Sequence, residues 1–198
     1  MKPIKLVSLL LVSLFFASAS LAIAQDNAAK AAKGGAMPTG MPMGEPKPPA
    51  ALDATYKFLD GSWKCDTTFL ANAMGPGTPE LKVKTNIKFK KDLNGFWYRG
   101  DYDAKKTKDF PGMKGTVYLG HDGKQLLVGN VDAMGGISSG TGSVSGDALS
   151  FASEGFMMGM KVKMRETIEK KSDKEVHHLF EVDMGKGFQP MGEDVCKR

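Results

Sequence analysis

The sequence predicts an all-β protein, a closed up-and-down antiparallel barrel of about ten strands with a short N-terminal helix. After Leu59 the chain shows short segments of alternating apolar and polar residues and almost no helical periodicity. Turn signals containing glycine separate these segments at strand-length intervals. The two cysteines fall in the first and last predicted strands, which become neighbours only when the sheet closes. A flattened sandwich with a solid core is the alternative, because it has the same alternating pattern.

The first residues have the order that is typical of a secretory signal peptide. Lys2 and Lys5 precede an apolar run from Leu6 to Phe16, and small residues then end at Ala24. The apolar run is too short to cross a membrane. We therefore expect a signal peptide over residues 1–24, cleavage after Ala24 and a periplasmic or secreted protein.

The rest of the chain divides into a tether and a barrel domain. Residues 25–50 are rich in Ala, Gly, Pro and Met, a composition that buries too little apolar area to order itself, so we expect a disordered tether. Residues 51–198 have the usual size of one domain. The formal net charge of the whole chain is +5, and an excess this mild does not indicate nucleic acid. We expect no nucleic-acid partner and no membrane span in the mature protein.

Alternation and turn signals predict the individual elements. Strands are expected to begin near residues 62, 81, 96, 116, 125, 137, 148, 161, 175 and 189. In the clearest strand, the buried face is predicted to consist of Leu81, Val83, Ile87, Phe89 and Leu93. The turn signals are Asn94-Gly95, Asp122-Gly123 and Gly146-Asp147, which place Leu93 opposite Phe96, Leu119 opposite Leu126, and Val144 opposite Leu149. Before the first strand, Leu52, Tyr56 and Leu59 have helical spacing and predict a short helix that covers one barrel mouth.

The cysteines favour one disulfide bond. Two cysteines after an export signal form a bond more often than they remain free, so we expect Cys65 to pair with Cys196. Two buried free thiols are the alternative. Trp63 shares the face of Cys65, and Arg198 shares the face of Cys196. The bond would therefore bring the guanidinium of Arg198 to the indole of Trp63, a structural contact.

Four short motifs carry a resemblance to a known family. They are GSWK at 61–64, LGHDGK at 119–124, VDAMGG at 131–136 and KVKMRETI at 161–168. In their order and spacing they resemble a bacterial family catalogued as a domain of unknown function, whose members are similar to the lipocalin, calycin and nitrobindin barrels. Gly61-Ser62-Trp63 matches the G-x-W that opens such barrels. The resemblance implies a lipocalin-like barrel. The chain departs from the family pattern at Asn130, where members usually carry an aromatic residue.

The hairpin from Met160 to Met184 supplies the candidate binding site. A three-residue turn at 171–173 pairs apolar residues across the hairpin, namely Ile168 with Val176, Met164 with Phe180, and Val162 with Val182. Glu166 then lies opposite His178 on this inward face. Ionisable groups on an apolar face are costly unless they have partners, so they indicate either a mutually satisfied structural pair or a ligand-binding site. The predicted ligand-binding residues are Glu166, His178, Tyr98, Tyr102, Met164 and Phe180.

Metal or haem binding is a separate possibility. His178 is the metal-ligand candidate, with Glu166 orienting it. Methionines cluster around the same hairpin, at Met157, Met158, Met160 and Met164, and thioethers can hold Cu(I). Methionine is also an ordinary filler of adaptable apolar pockets, and the sequence favours this interpretation over Cu(I) binding. Neither haem nor Cu(I) is therefore required.

The main functional hypothesis is an exported protein that holds a small hydrophobic molecule in a barrel cavity. The chain has no nucleophile elbow, phosphate-binding loop, zinc-ligand spacing or dinucleotide fingerprint, so we expect no enzyme activity. One alternative is a haem or metal-binding barrel that uses His178. Another is a structural or partner-binding module. The oligomeric state is left open.

Overall fold

The computed structural model describes residues 45–73 and 75–198. The predicted signal peptide and residues 25–44 of the predicted tether lie outside this part of the chain. The described part begins with helix α1 (Ala50–Tyr56), which a 3₁₀ turn (Lys57–Leu59) extends. Ten strands follow: β1 (Gly61–Phe69), β2 (Leu81–Asp92), β3 (Trp97–Ala104), β4 (Met113–His121), β5 (Leu126–Asp132), β6 (Ile137–Ser145), β7 (Ala148–Met157), β8 (Met160–Ser172), β9 (Glu175–Asp183) and β10 (Gln189–Lys197).

The strands form a closed antiparallel barrel. Each strand pairs with the next in the sequence, and β10 pairs with β1. The closing ladder runs from Lys64 opposite Lys197 to Phe69 opposite Gly192. The predicted fold class is therefore confirmed, and the sandwich alternative is wrong.

The predicted cysteine pair lies in the closing ladder. Cys65 is directly opposite Cys196, and the two sulfurs are 2.01 Å apart, at disulfide distance. The guanidinium of Arg198 lies 4.5 Å from the centre of the Trp63 ring. Arg198 also donates hydrogen bonds to the backbone carbonyl oxygens of Asp60 at 2.7 Å and Asp173 at 2.8 Å. The end of the chain is thus fixed to the start of the barrel.

Helix α1 packs against the barrel interior at one end. Its apolar residues Leu52 and Tyr56 are buried, as is Leu59 in the following 3₁₀ turn, which confirms the predicted helix. The Tyr56 hydroxyl donates a hydrogen bond to the carbonyl oxygen of Gly120 at 3.0 Å, and the Trp63 indole donates one to the carbonyl oxygen of Leu59 at 2.7 Å. Within the described ranges, no helix has the length and apolar character needed to cross a bilayer.

Of the three hairpin registers predicted from two-residue turn signals, two are confirmed. Val144 lies opposite Leu149 across the turn at Gly146-Asp147. The register of β2 and β3 also agrees, but their ladder ends at Asp92 opposite Trp97, and the chain reverses through a longer turn. Leu93 takes a positive φ in that turn and its side chain is 58% exposed, so its predicted burial is wrong.

The hairpin at Asp122-Gly123 is shifted by two residues from the prediction. Leu119 pairs with Val128, and Leu126 pairs with His121. The shift occurs because the turn has four residues: the Asp122 carboxylate accepts hydrogen bonds from the backbone N–H groups of the two residues that follow Gly123. A shift of two leaves every side chain on its predicted face.

Removing the disulfide should lower the stability of the barrel. The bond joins residues 131 positions apart, and the chain-entropy model assigns such a bond about 2–5 kcal/mol of stability. We predict that the double substitution Cys65→Ala and Cys196→Ala lowers the free energy of unfolding by this amount, measured by urea titration. The wild-type protein in a strong reductant should show the same loss. A change below about 1 kcal/mol in both samples would contradict the prediction.

Candidate functional site

The inward faces of the strands surround a cavity with a volume of about 270 Å³. Alternate residues of each strand point inward, and most of these inward residues are apolar, so the wall of the cavity is mostly apolar. Apolar lining residues come from many strands, among them Ile87, Phe89, Val117, Leu119, Phe151 and Val176. Polar side chains are therefore a minority in the wall of the cavity.

Methionines form a large part of this wall. The lining includes Met113, Met134, Met157, Met158, Met164 and Met191. Of the methionines predicted around the β7–β8 hairpin, Met160 alone does not line the cavity and is exposed. Flexible thioether side chains adapt to the shape of what they contact, so this part of the wall is deformable.

The register of the β8–β9 hairpin differs from the prediction. Glu166 pairs with Phe180, and Ile168 pairs with His178, so Glu166 and His178 are not directly opposite each other. The reason is a two-residue turn at 173–174 combined with a register shift between Lys170 and Ser172. Because the total displacement is two residues, both side chains remain on the inward face and line the cavity.

The partner of His178 is Asp194 in β10. Nδ1 of His178 lies 2.9 Å from Oδ2 of Asp194, and the two residues are directly opposite in the β9–β10 ladder. The other carboxylate oxygen of Asp194 accepts a hydrogen bond from the hydroxyl of Thr67, which is 2.7 Å from the hydroxyl of Thr85. These four residues form a continuous polar network across β9, β10, β1 and β2. His178 retains 24% side-chain exposure and Asp194 retains 11%, and all four line the cavity.

Opposing effects set the protonation of His178. Burial, the largest effect, lowers the pKa of His178, but its hydrogen bond to the Asp194 carboxylate and the charges of Asp194 and Glu166 together raise the pKa above its ordinary value of 6.5. Nδ1 is engaged by the carboxylate. Nε2 makes no hydrogen bond with any described residue, so it is the ring nitrogen that remains available for a further hydrogen bond.

A second polar pair lies on β3 and β5. The hydroxyl of Tyr102 donates a hydrogen bond to Oδ1 of Asn130 at 3.3 Å, and both residues line the cavity. Burial raises the pKa of Tyr102 to about 12, so this hydroxyl remains a neutral donor at physiological pH.

Tyr98 has a different place from the other predicted site residues. Its hydroxyl donates a hydrogen bond to Oδ1 of Asp53 in α1 at 3.0 Å, and its ring centre is 6.0 Å from that of Tyr56. Burial raises its pKa. Tyr98 faces inward, but it lies under α1 and does not line the cavity, so it fixes the helix instead.

The remaining predicted residues Glu166, His178, Tyr102, Met164 and Phe180 all line one cavity. Their contact with a ligand stays a prediction. Sequence reasoning missed Asp194, Thr67 and Thr85. A signal for them was present, because Asp194 has the parity of Cys196, and Thr67 has the parity of Cys65, so both had to face inward beside the disulfide.

The charges of the cavity lining do not suit haem. A haem carries two carboxylates, whereas the lining has four carboxylic residues and, among its described members, no lysine or arginine. A cavity of about 270 Å³ is also small for a macrocycle. Over residues 45–73 and 75–198, no group of three or more His, Cys, Asp and Glu side chains could hold a metal ion.

Comparison with known proteins supports the fold. The crystal structure of Rv2717c from M. tuberculosis has 15% sequence identity to this chain and a TM-score of 0.61. The match covers 77% of this chain and 99% of that chain. Identity this low shows a shared barrel fold only. No family model matches the sequence, and no curated protein matches it.

The titration of His178 tests the polar network. We predict an NMR titration midpoint for His178 above 6.5 in the wild-type protein, and one below 6.5 in Asp194→Asn, where burial then dominates. Since the folded pKa is the higher one, the stability that His178 contributes is fully present below pH 6.5 and is lost as pH rises through the folded pKa. A midpoint that Asp194→Asn leaves unmoved would show that the carboxylate does not control His178.

Proposed function

We propose that this protein binds a small, mainly hydrophobic molecule inside the barrel, with a polar group of that molecule hydrogen-bonded to the network around His178. The role is binding and not catalysis. The observation that carries the proposal is a largely apolar cavity with one connected set of polar groups on its wall. Ligand sites commonly combine these two features, because the apolar wall supplies affinity and a few polar groups fix orientation.

The size of the cavity favours a small guest. Ligand pockets commonly measure about 300–1,000 Å³, and this cavity of about 270 Å³ lies just below that range. An alkyl chain of moderate length or a single ring system is therefore a better guest than a large lipid. The methionines of the wall favour tolerance of shape over selection of one shape.

The polar end of the guest is expected at β9 and β10. Nε2 of His178 has no partner among the residues described, and an unpaired group next to an apolar wall gains from any hydrogen bond that a guest supplies. Tyr102 and Asn130 offer a further donor and acceptor on the wall formed by β3 and β5. A guest with one or two polar atoms suits this arrangement.

Entry is favoured at the end of the barrel opposite α1. Ile137 and Phe156 lie opposite each other on β6 and β7. Both residues line the cavity, and both are also exposed to solvent. Met134 and Met158, in the two adjoining turns, do the same. These residues give an apolar path from the surface to the interior.

We also propose that the protein acts outside the cytosol. The pairing of Cys65 with Cys196 supports this, because disulfides persist in oxidising compartments. The signal-peptide pattern of residues 1–24 gives independent sequence support.

Binding of 1-octanol tests the proposal. We predict saturable one-to-one binding to the wild-type protein by isothermal titration calorimetry, and a loss of affinity of at least about tenfold in Ile87→Trp, whose larger side chain fills cavity space. The matched control is Asn86→Trp, which introduces the same side chain at the adjacent, exposed position of β2 and should leave binding unchanged.

Three results would contradict the proposal. One is the absence of octanol binding to the folded wild-type protein. Another is equal loss of affinity in both tryptophan variants, which would place the site outside the barrel. The third is a Soret band in the purified protein that His178→Ala removes, which would indicate haem.

A further inference from the structure

We infer that the cavity selects hydrophobic amines, and that Glu166 pairs with the ammonium group of the guest. This inference rests on the proposed function and names the chemical class of the molecule that the same cavity takes. It also predicts that fatty acids of matched length are rejected.

The charge of the lining is opposite to that of the chain. The whole chain has 27 Lys and Arg against 22 Asp and Glu. The cavity lining, in contrast, includes four carboxylic residues, Asp132, Glu166, Glu181 and Asp194, with His178 as its basic member and no described Lys or Arg. Carboxylates next to apolar walls interact more strongly with charge than surface groups do, so the lining favours a cation over an anion.

Three of these four carboxylates already have partners. Oε2 of Glu181 forms an ion pair at 3.1 Å with Arg165 on the outer side of β8. Asp132 accepts hydrogen bonds from the backbone N–H groups of Met134 at 2.8 Å and Gly136 at 2.9 Å, which fixes the β5–β6 turn. Asp194 is engaged by His178 and the hydroxyl of Thr67. None of the three needs a guest for its charge.

Glu166 is the exception. It makes no hydrogen bond or ion pair with any described residue, although it is half-buried and lines the cavity. Its inward neighbours along β8 are Met164 and Ile168, and its cross-strand partner is Phe180, so the surroundings are apolar. A carboxylate in such surroundings is strongly stabilised by a cation or a hydrogen-bond donor.

His178 does not supply that cation. It is the diagonal neighbour of Glu166, and its positive charge, when present, is directly paired with Asp194. The His178–Asp194 pair is then neutral as a unit, which leaves the negative charge of Glu166 uncompensated. An alkylammonium guest would pair with Glu166 while its chain occupies the apolar part of the cavity.

Matched octyl probes test the inference. Octylammonium, 1-octanol and octanoate are titrated into the full chain by calorimetry at pH 7, below the micellar concentrations of the two ions and below the solubility limit of 1-octanol. We expect octylammonium to bind wild type at least about tenfold more tightly than octanoate. Glu166→Gln should weaken octylammonium binding by at least about tenfold and octanol binding by a clearly smaller factor. The control is Glu193→Gln, which removes one charge from the exposed face of β10 and should leave all three affinities unchanged.

The outcomes separate this inference from the proposed function. Octanoate binding to wild type as tightly as octylammonium overturns the inference, while octanol binding leaves the proposed function intact. An octylammonium affinity that falls equally in Glu166→Gln and Glu193→Gln also overturns it, because net charge would then be the cause. Failure of all three probes to bind folded wild type overturns both. The wild-type ratio decides the matter even if Glu166→Gln fails to fold.

Discussion

The pairing of β1 with β10 is the constraint on which the rest of the structure depends. Without it, a ten-stranded sheet has two exposed edges and no enclosed interior. The same seam also builds the site, because Thr67 lies directly opposite Asp194, and Asp194 lies directly opposite His178. The disulfide between Cys65 and Cys196 is two residues from this polar network on the same inward faces. The strand pairing that closes the barrel therefore also brings together the polar network around His178.

Polar groups in an apolar cavity lose their contacts with water and need hydrogen-bond partners in return. In this cavity some polar groups have such partners and others do not. Asp194 satisfies Nδ1 of His178 and the hydroxyl of Thr67. Its hydrogen bond to His178 and its charge, together with the charge of Glu166, outweigh the lowering of the pKa of His178 by burial. Nε2 of His178 and the carboxylate of Glu166 are left without protein partners in the described chain. The proposed function and the further inference both place the polar group of a guest at these two positions.

Much of the fold could be predicted from the sequence, because alternation fixes which side chains face inward and cysteine positions indicate closure. The register of β8 and β9 could not. A register shift of two residues leaves every side chain on the same face of the sheet. The apolar pattern therefore does not reveal the irregularity near Lys171, as a result of which Glu166 and His178 are not directly opposite each other. Asp194 was missed because its partner becomes visible only when β9 and β10 are aligned. Tyr98 faces inward as predicted, but alternation does not indicate that α1 covers it.

Methyl-resolved NMR during a titration with 1-octanol tests most directly whether the barrel has an accessible interior. A roofed apolar cavity predicts chemical-shift changes at the inward methyl groups of Ile87, Val117 and Ile168, which lie on three different strands and line the same space. It predicts no change at the exposed, outward Leu179. Changes confined to Leu179 and other outward methyl groups, or no change at any inward methyl group at saturating octanol, would contradict it.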